Sequence, residues 1–277
     1  MATVRELLQA GRSLPGDSGT RDAEILLCHC LDRPRAWLYT WPDAEVAASL
    51  SERFVDLVAR RREGQPVAYL TGRREFWSLD LAVNASTLIP RPETETLVAW
   101  ALELDLPAQC EAADLGTGSG AIALALASER PRWQVTATDA SAAALVTARD
   151  NARALGLDRV HFARSDWFGQ LAGSTFDLLL SNPPYIEEDD PHLQLGDLRF
   201  EPRSALVAAD GGLADIAAIV GAAPAHLNPG GWLLLEHGYT QGETVCELLR
   251  RGGFERVETR RDLAGQQRAS GGRLRAH

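Results

Sequence analysis

The hydrophobic positions along the 277-residue chain follow two rhythms. In the first part the rhythm is helical. Val46, Leu50, Phe54, Leu57 and Val58 recur at the spacing of one helix face and predict a helix from Glu45 to Arg62, stopped by Gly64. Thr3 and Glu6 have the spacing of a capping box, so an earlier helix is predicted there, with Gly11 as its stop. Ile25 to Leu31 reads as another helix, and breaks are expected at Leu14–Asp17, Asp32–Pro34 and Trp41–Asp43. Residues 1 to about 63 therefore predict a small helical bundle.

The rhythm changes at Phe76. Phe76 to Val83 nearly alternates and predicts a short strand pair that runs into the linker Leu88–Glu95. Thereafter strands alternate with helices. Strands are expected at Ala112–Leu115, Gln134–Thr138, Val160–Ala163, Phe176–Leu180, Trp232–Glu236 and Arg256–Thr259. Helices are expected at Glu93–Leu104, Ala121–Glu129, Ala142–Leu155, Leu213–Ala223 and Thr244–Arg251. Such alternation predicts a doubly wound, mostly parallel sheet, which binds ligands at the carboxyl ends of its strands.

Charge narrows the partners. The net charge is −10, and all basic residues are arginine. Residues 1–75 hold 11 arginines and 11 acidic residues, so the excess negative charge lies in 76–277. An acidic second half disfavours a nucleic-acid binder and suits a basic protein partner or a small substrate. The absence of a long apolar run argues against a membrane span or a secretion signal, and the cytoplasm is the expected location. Cys28, Cys30, Cys110 and Cys246 are too scattered for a disulfide framework. Cys28-His29-Cys30 lies inside one helix, where positions i and i+2 face apart, so no metal site is expected.

Chemistry first shows at Asp114-Leu115-Gly116-Thr117-Gly118-Ser119-Gly120, a glycine loop between a strand and a helix. Glycines let the backbone turn sharply and approach a ligand, and the following helix offers free N–H groups. Asp139 ends the next strand, where a carboxylate can accept both hydroxyls of a ribose. The spacing departs from the dinucleotide pattern G-x-G-x-x-G. An acid just before the loop suits a ligand with an amino group and a sulfonium better than a pyrophosphate, so S-adenosylmethionine is favoured over NAD. Asp166-Trp167 follows the next strand: Asp166 could accept from the adenine amine, and Trp167 could lie on its ring.

The fourth strand ends in Asn182-Pro183-Pro184-Tyr185. A planar nitrogen, as in an amide or exocyclic amine, attacks poorly unless its N–H groups are held. Asn182 Oδ1 and the Pro183 carbonyl could hold them, the two prolines remove competing N–H donors, and Tyr185 could pack its flat face on the planar group. The acid run Glu187-Glu188-Asp189-Asp190 that follows could attract a basic partner.

Together these motifs resemble the release factor glutamine methyltransferases, the PrmC/HemK family. Further matches are Phe76-Trp77-Ser78-Leu79, Thr87–Glu95, Arg199-Phe200-Glu201-Pro202 and Leu234-Leu235-Glu236-His237-Gly238. The resemblance implies an α/β class I methyltransferase fold, Rossmann-like with a seven-stranded sheet, after a helical bundle and a β-hairpin linker. The implied boundaries are 1–74, 75–91 and 92–277. It implies N5-methylation of the glutamine in the Gly-Gly-Gln motif of peptide chain release factors, from S-adenosylmethionine to S-adenosylhomocysteine. The cofactor residues would be Asp114, Gly116, Thr117, Gly118, Ser119, Gly120, Asp139, Asp166, Trp167 and Asn182. Asn182, Pro183, Pro184 and Tyr185 would hold the glutamine, with Asn182, Pro183 and Tyr185 catalytic. A monomer without nucleic acid or membrane is expected. The tail Gly271–His277 departs from the family pattern by lacking an aromatic end, which leaves the packing of a last strand open. Three rivals have distinct signatures. An amino-methyltransferase acting on an adenine or guanine in nucleic acid would need a basic surface and a flipped base on Tyr185. A non-catalytic binding module would fail to bind S-adenosylmethionine, and a dehydrogenase would bind NADH.

Overall fold

The computed structural model describes residues 2–12, Leu14 and residues 18–275, so the break expected at Pro15–Asp17 falls outside the described residues. The chain forms two compact units. One comprises Met1–Arg73 with His192–Phe200, the other Arg74–Pro191 with Glu201–His277. Among the described residues no helix is long and apolar enough to cross a membrane.

The smaller unit is helical: α1 (Val4–Gly11), α2 (Gly19–Leu31), α3 (Arg35–Thr40), α4 (Ala48–Arg62) and α5 (Val67–Thr71). The capping box at α1 forms as its spacing predicts, Thr3 accepting from the Glu6 N–H and Glu6 from the Thr3 N–H. Helix α4 starts three residues later than expected, because Glu45 is held in an extended bridge with Thr3 and the Val46 N–H donates to the Ala2 carbonyl. Gly11 is the last residue of α1, and packing also demands its small size: a Cβ there would come within 2.5 Å of Ala23 Cβ on α2. Cys28, His29 and Cys30 all lie on α2. Arg61 bridges Asp22 at 2.8 Å and Asp197 at 3.0 Å, which ties residues 192–200 into this unit.

The larger unit opens with a hairpin of β1 (Arg73–Phe76) and β2 (Leu79–Ala82). Its turn residues, Trp77 and Ser78, have φ of 51° and 60°, the conformation of a tight two-residue turn. Neither residue is a usual turn former, so the sequence places the strand pair but not its corner. After a 3-10 turn at Pro92–Thr94 come α6 (Glu95–Glu103), β3 (Glu111–Leu115), α7 (Ala121–Glu129), β4 (Gln134–Asp139), α8 (Ala142–Ala154), β5 (His161–Arg164) and β6 (Phe176–Ser181). The single turn α9 (Ala209–Gly212), then α10 (Ala214–Ala222), β7 (Leu227–Glu236), α11 (Gly242–Arg251), β8 (Phe254–Arg261) and β9 (Gln267–Leu274) complete it.

The sheet has seven strands in the order β5-β4-β3-β6-β7-β9-β8. Pairs from β5 to β7 are parallel; β9 runs antiparallel between β7 and β8. Side chains alternate across it. Ala112, Leu178, Leu180 and Leu234 face a core with α6 and α7, while Ala113, Leu115, Leu179, Leu233 and Leu235 face one with α10 and α11. Gly271–Leu274 of the tail thus belong to the interior strand β9, while Ala276 and His277 lie outside the described residues. Gly271 is what lets the strand fit, since a Cβ there would meet Leu234 Cδ2 at 2.5 Å and the Trp100 ring at 2.9 Å.

Candidate active site

Strand register assembles the site. Leu115 on β3 lies opposite Thr138 on β4 and Ser181 on β6, and Ser181 lies opposite Leu235 on β7. The next residue of each strand therefore falls in one row: Asp139, Gly116, Asn182 and Glu236. The first three are the residues singled out from the sequence. Glu236 is the fourth; the sequence marks it as an acid at the end of an apolar strand, within the Leu234–Gly238 match to the family, but assigns it no role.

The glycine loop is built for close approach. Gly116, Gly118 and Gly120 have φ of 77°, 57° and 89°, a region open to glycine at no steric penalty. A Cβ on Gly118 would meet nothing within 4 Å, so backbone conformation alone demands glycine there. At Gly116 a Cβ would also press on the Trp167 ring at 3.3 Å. The Gly118 N–H donates to Asp139 Oδ2 at 2.9 Å, and the Ser141 N–H donates to Oδ1 at 2.8 Å. Burial raises the Asp139 pKa, and these two N–H groups oppose the rise. Trp167 has φ of 44°, a strained value for a bulky side chain of the kind that gathers at functional sites.

A cavity of about 260 Å³ opens over this row. Gly116, Thr117, Gly118, Ser119, Asp139, Asp166, Trp167, Asn182 and Pro184 line it. Asp114, Gly120, Pro183 and Tyr185 do not. Asp114 alternates with Leu115, so its carboxylate turns under α7, where Oδ2 accepts from Thr117 Oγ1 at 2.6 Å and from the Ala123 N–H at 3.2 Å. It braces the loop and caps the helix from below, a different place from the ligand contact expected of it. Gly120 begins α7 and is packed against Leu124 and Ala148. Tyr185 packs against the core under α10 and α11, and its hydroxyl donates to Glu236 Oε1 at 3.1 Å. Its ring is anchored by its edge, so the flat face expected over a substrate group is not part of the cavity wall. Asp215 on α10 is a wall residue that no motif signals; burial raises its pKa, and the Trp167 side chain opposes the rise.

The rim comes from the segment between hairpin and α6. Glu201, whose side chain is fully buried, accepts from the Ile89 N–H at 3.0 Å and pairs with Arg91. This brings Pro90 and Thr94 to the cavity wall. Asn182 Nδ2 donates to Thr94 Oγ1 at 3.2 Å. The Thr94 hydroxyl in turn stands beside Glu236 and favours its charged form. Glu236 is 1 % exposed, and burial pushes its pKa up to about 7 against the pull of Thr94, Arg268 and Tyr185.

The cavity offers acceptors at two strand ends, a glycine cradle, an indole face and an amide. That set fits a nucleoside carrying a cationic sulfur. The chain matches two family models, the PrmC N-terminal domain over residues 3–72 and the methyltransferase small domain over residues 94–214. It is 51 % identical over 268 residues to a release factor glutamine methyltransferase of Pseudomonas aeruginosa, with 97 % of each chain covered. It is also 51 % identical over 275 residues to the Vibrio cholerae protein of that name, covering 99 % of this chain and 95 % of the relative. Among solved structures it resembles a methyltransferase from Pyrococcus furiosus, with a TM-score of 0.55 at 20 % identity over 79 % of this chain and 98 % of that one, a likeness of fold. With half its residues shared along nearly the whole length of such relatives, the chain belongs to the family of release factor glutamine methyltransferases.

Proposed function

We propose that this chain transfers a methyl group from S-adenosylmethionine to the side-chain amide nitrogen of a glutamine, and that this glutamine lies in the Gly-Gly-Gln motif of peptide chain release factors. The observation that carries the reading is the Asn182 amide. Its nitrogen is bound to Thr94, which leaves Oδ1 as the end available to the cavity, in the same row as Gly116 and Asp139. An acceptor there suits a substrate that presents N–H groups.

Gly116, Thr117, Gly118, Ser119, Asp139, Asp166 and Trp167 would hold the cofactor. When bound, S-adenosylmethionine supplies an electrophilic methyl on a positively charged sulfur. Asn182 Oδ1 would hold an amide N–H so that the nitrogen lone pair is aimed, while Pro183, expected as the second acceptor, is not among the residues that line the cavity. Asn182 is no base, and none is needed at the start, because the nitrogen gives up its proton only as the new N–C bond forms. Orientation then carries the rate, and alignment of this kind can contribute about 7–11 kcal/mol. Residues 1–74 would serve docking, 75–91 the link and 92–277 the chemistry.

The test is mass spectrometry of a release factor incubated with the purified protein and S-adenosylmethionine. One methyl on the glutamine of the Gly-Gly-Gln peptide is expected. Label entering DNA or RNA instead would replace the substrate with a nucleic-acid amine.

A further inference from the structure

We infer that Gln241 is a positioning residue for methyl transfer: its side-chain amide clamps the Tyr185 carbonyl and so fixes the loop that carries Asn182. The inference rests on the glutamine-methylation reading.

The Asn182–Tyr185 loop has few ties of its own. Pro183 and Pro184 have no N–H, so neither can donate to the rest of the fold. At the β6 end the loop is held by the sheet, where Ser181 lies opposite Leu115 and Leu235, and by the bond from Asn182 Nδ2 to Thr94. At the other end the Tyr185 hydroxyl is tied to Glu236. The Tyr185 carbonyl is tied to Gln241. Gln241 Nε2 donates to it at 3.1 Å and to the Gly211 carbonyl at 3.1 Å, while Gln241 Oε1 accepts from the Gly238 N–H at 2.8 Å. All three partners are backbone groups of fixed polarity. An N–H only donates and a carbonyl only accepts, so this amide has one workable orientation, with both its ends engaged.

Three parts of the larger unit meet on this side chain: the loop, the turn Gly238–Gln241 after β7, and the kink before α10. The kink is strained. Asp210, Gly211 and Gly212 have φ of 54°, 67° and 78°, and a non-glycine residue such as Asp210 keeps such a conformation only where its surroundings hold it. A Cβ on Gly212 would lie 2.2 Å from the Tyr185 carbonyl oxygen. The kink therefore presses on the same atom that Gln241 binds, and that atom is located from two sides. The two prolines have fixed φ, which makes the loop stiff. A shift at Tyr185 is thus carried back through Pro184, on the cavity wall, to Asn182. Gln241 itself does not line the cavity.

The experiment uses the full chain and two variants, Gln241→Glu and Gln241→Met. Glutamate keeps the length and the acceptor for the Gly238 N–H, but sets an oxygen against two carbonyls. Methionine keeps the length and removes all three bonds. The readouts are kcat and KM for release-factor methylation and S-adenosylhomocysteine affinity by calorimetry. The melting temperature confirms that each variant is folded during the assay, and glutamate, which retains one bond, carries the test if methionine does not fold. Both variants should lose about tenfold or more in kcat, since misplacing aligned groups by about 1 Å can slow a reaction on the order of a hundredfold. Cofactor-product affinity should change less than about threefold, because the Gly118 and Ser141 N–H bonds to Asp139 that shape the cradle are untouched. A folded variant with unchanged kcat would overturn the inference. So would a loss of S-adenosylhomocysteine affinity as large as the loss of kcat, since the damage would then extend to the whole site. Wild-type protein that leaves the glutamine unmethylated would instead remove the reading on which the inference stands, and the inference with it.

Discussion

Asp114→Asn is the substitution whose consequence can be followed furthest. Asp114 is fully buried under α7, and burial pushes its pKa from 3.8 up to about 7. Thr117 and the Ala123 N–H oppose that rise, while the nearby Asp139 adds to it. A carboxyl with a raised native pKa binds its proton more tightly folded than unfolded. Its contribution to stability is therefore complete below about pH 4 and is lost as pH climbs towards 7. The whole displacement corresponds to a loss on the order of 4 kcal/mol, of which roughly 2.5 kcal/mol falls between about pH 5 and pH 8. Asparagine carries no such charge. Its Oδ1 can still accept from Thr117 and Ala123, and its NH₂ takes the place of an oxygen that has no partner. All other titrating groups are common to both proteins. Urea unfolding of each protein at the two pH values isolates the effect. The stability of the variant minus that of the wild type should grow by roughly 2.5 kcal/mol from the lower pH to the higher. Parallel pH profiles would refute the reasoning, because they would mean that the Asp114 carboxyl ionises as readily folded as unfolded.

Three further outcomes are expected. Asn182→Ala should abolish nearly all methyl transfer while cofactor affinity changes by less than about tenfold, since the cradle is made by other residues; equal loss of both in calorimetry and turnover would make Asn182 a cofactor residue. Asn151, 2 % exposed, accepts from the Ala82 N–H at 2.7 Å and donates to the carbonyls of Ala82 and Ser119. Asn151→Ala leaves three backbone groups unpaired and should cost about 3 kcal/mol in urea unfolding. A change below about 1 kcal/mol would show that these bonds are replaced. If the loop attracts a basic face on the release factor, neutralising Glu187, Glu188, Asp189 and Asp190 together should slow association at low salt and matter little at high salt; stopped-flow rates independent of both charge and salt would exclude steering by this loop.

The rhythm of apolar positions was enough to read the helices and strands from β3 to β6, because those periods are set by each residue's near neighbours in the chain. The glycine loop and the Asn182–Tyr185 run were legible for the same reason: positive φ and missing N–H groups are properties of residue type. Where residue type misled, a distant part of the chain was responsible. The corner at Trp77-Ser78 adopts a turn without turn formers. Hydrogen bonds beside it, from the Trp77 N–H to Glu95 and from the Trp77 indole to Glu129, reach 18 and 52 residues along the chain. Gly271 and Gly272 read as a tail but form an interior strand, since only small residues fit beneath Leu234 and Trp100 and beside Phe254. Asp114 and Tyr185 lie within the motifs, yet the pleat turns one under α7 and a hydrogen bond to Glu236 turns the other away. The sequence by itself determined the elements and the chemical kinds of group present. Only the tertiary structure decided which groups meet, because Gly116, Asp139, Asn182 and Glu236 are brought level by strand register, and register is a property of pairs of strands many residues apart.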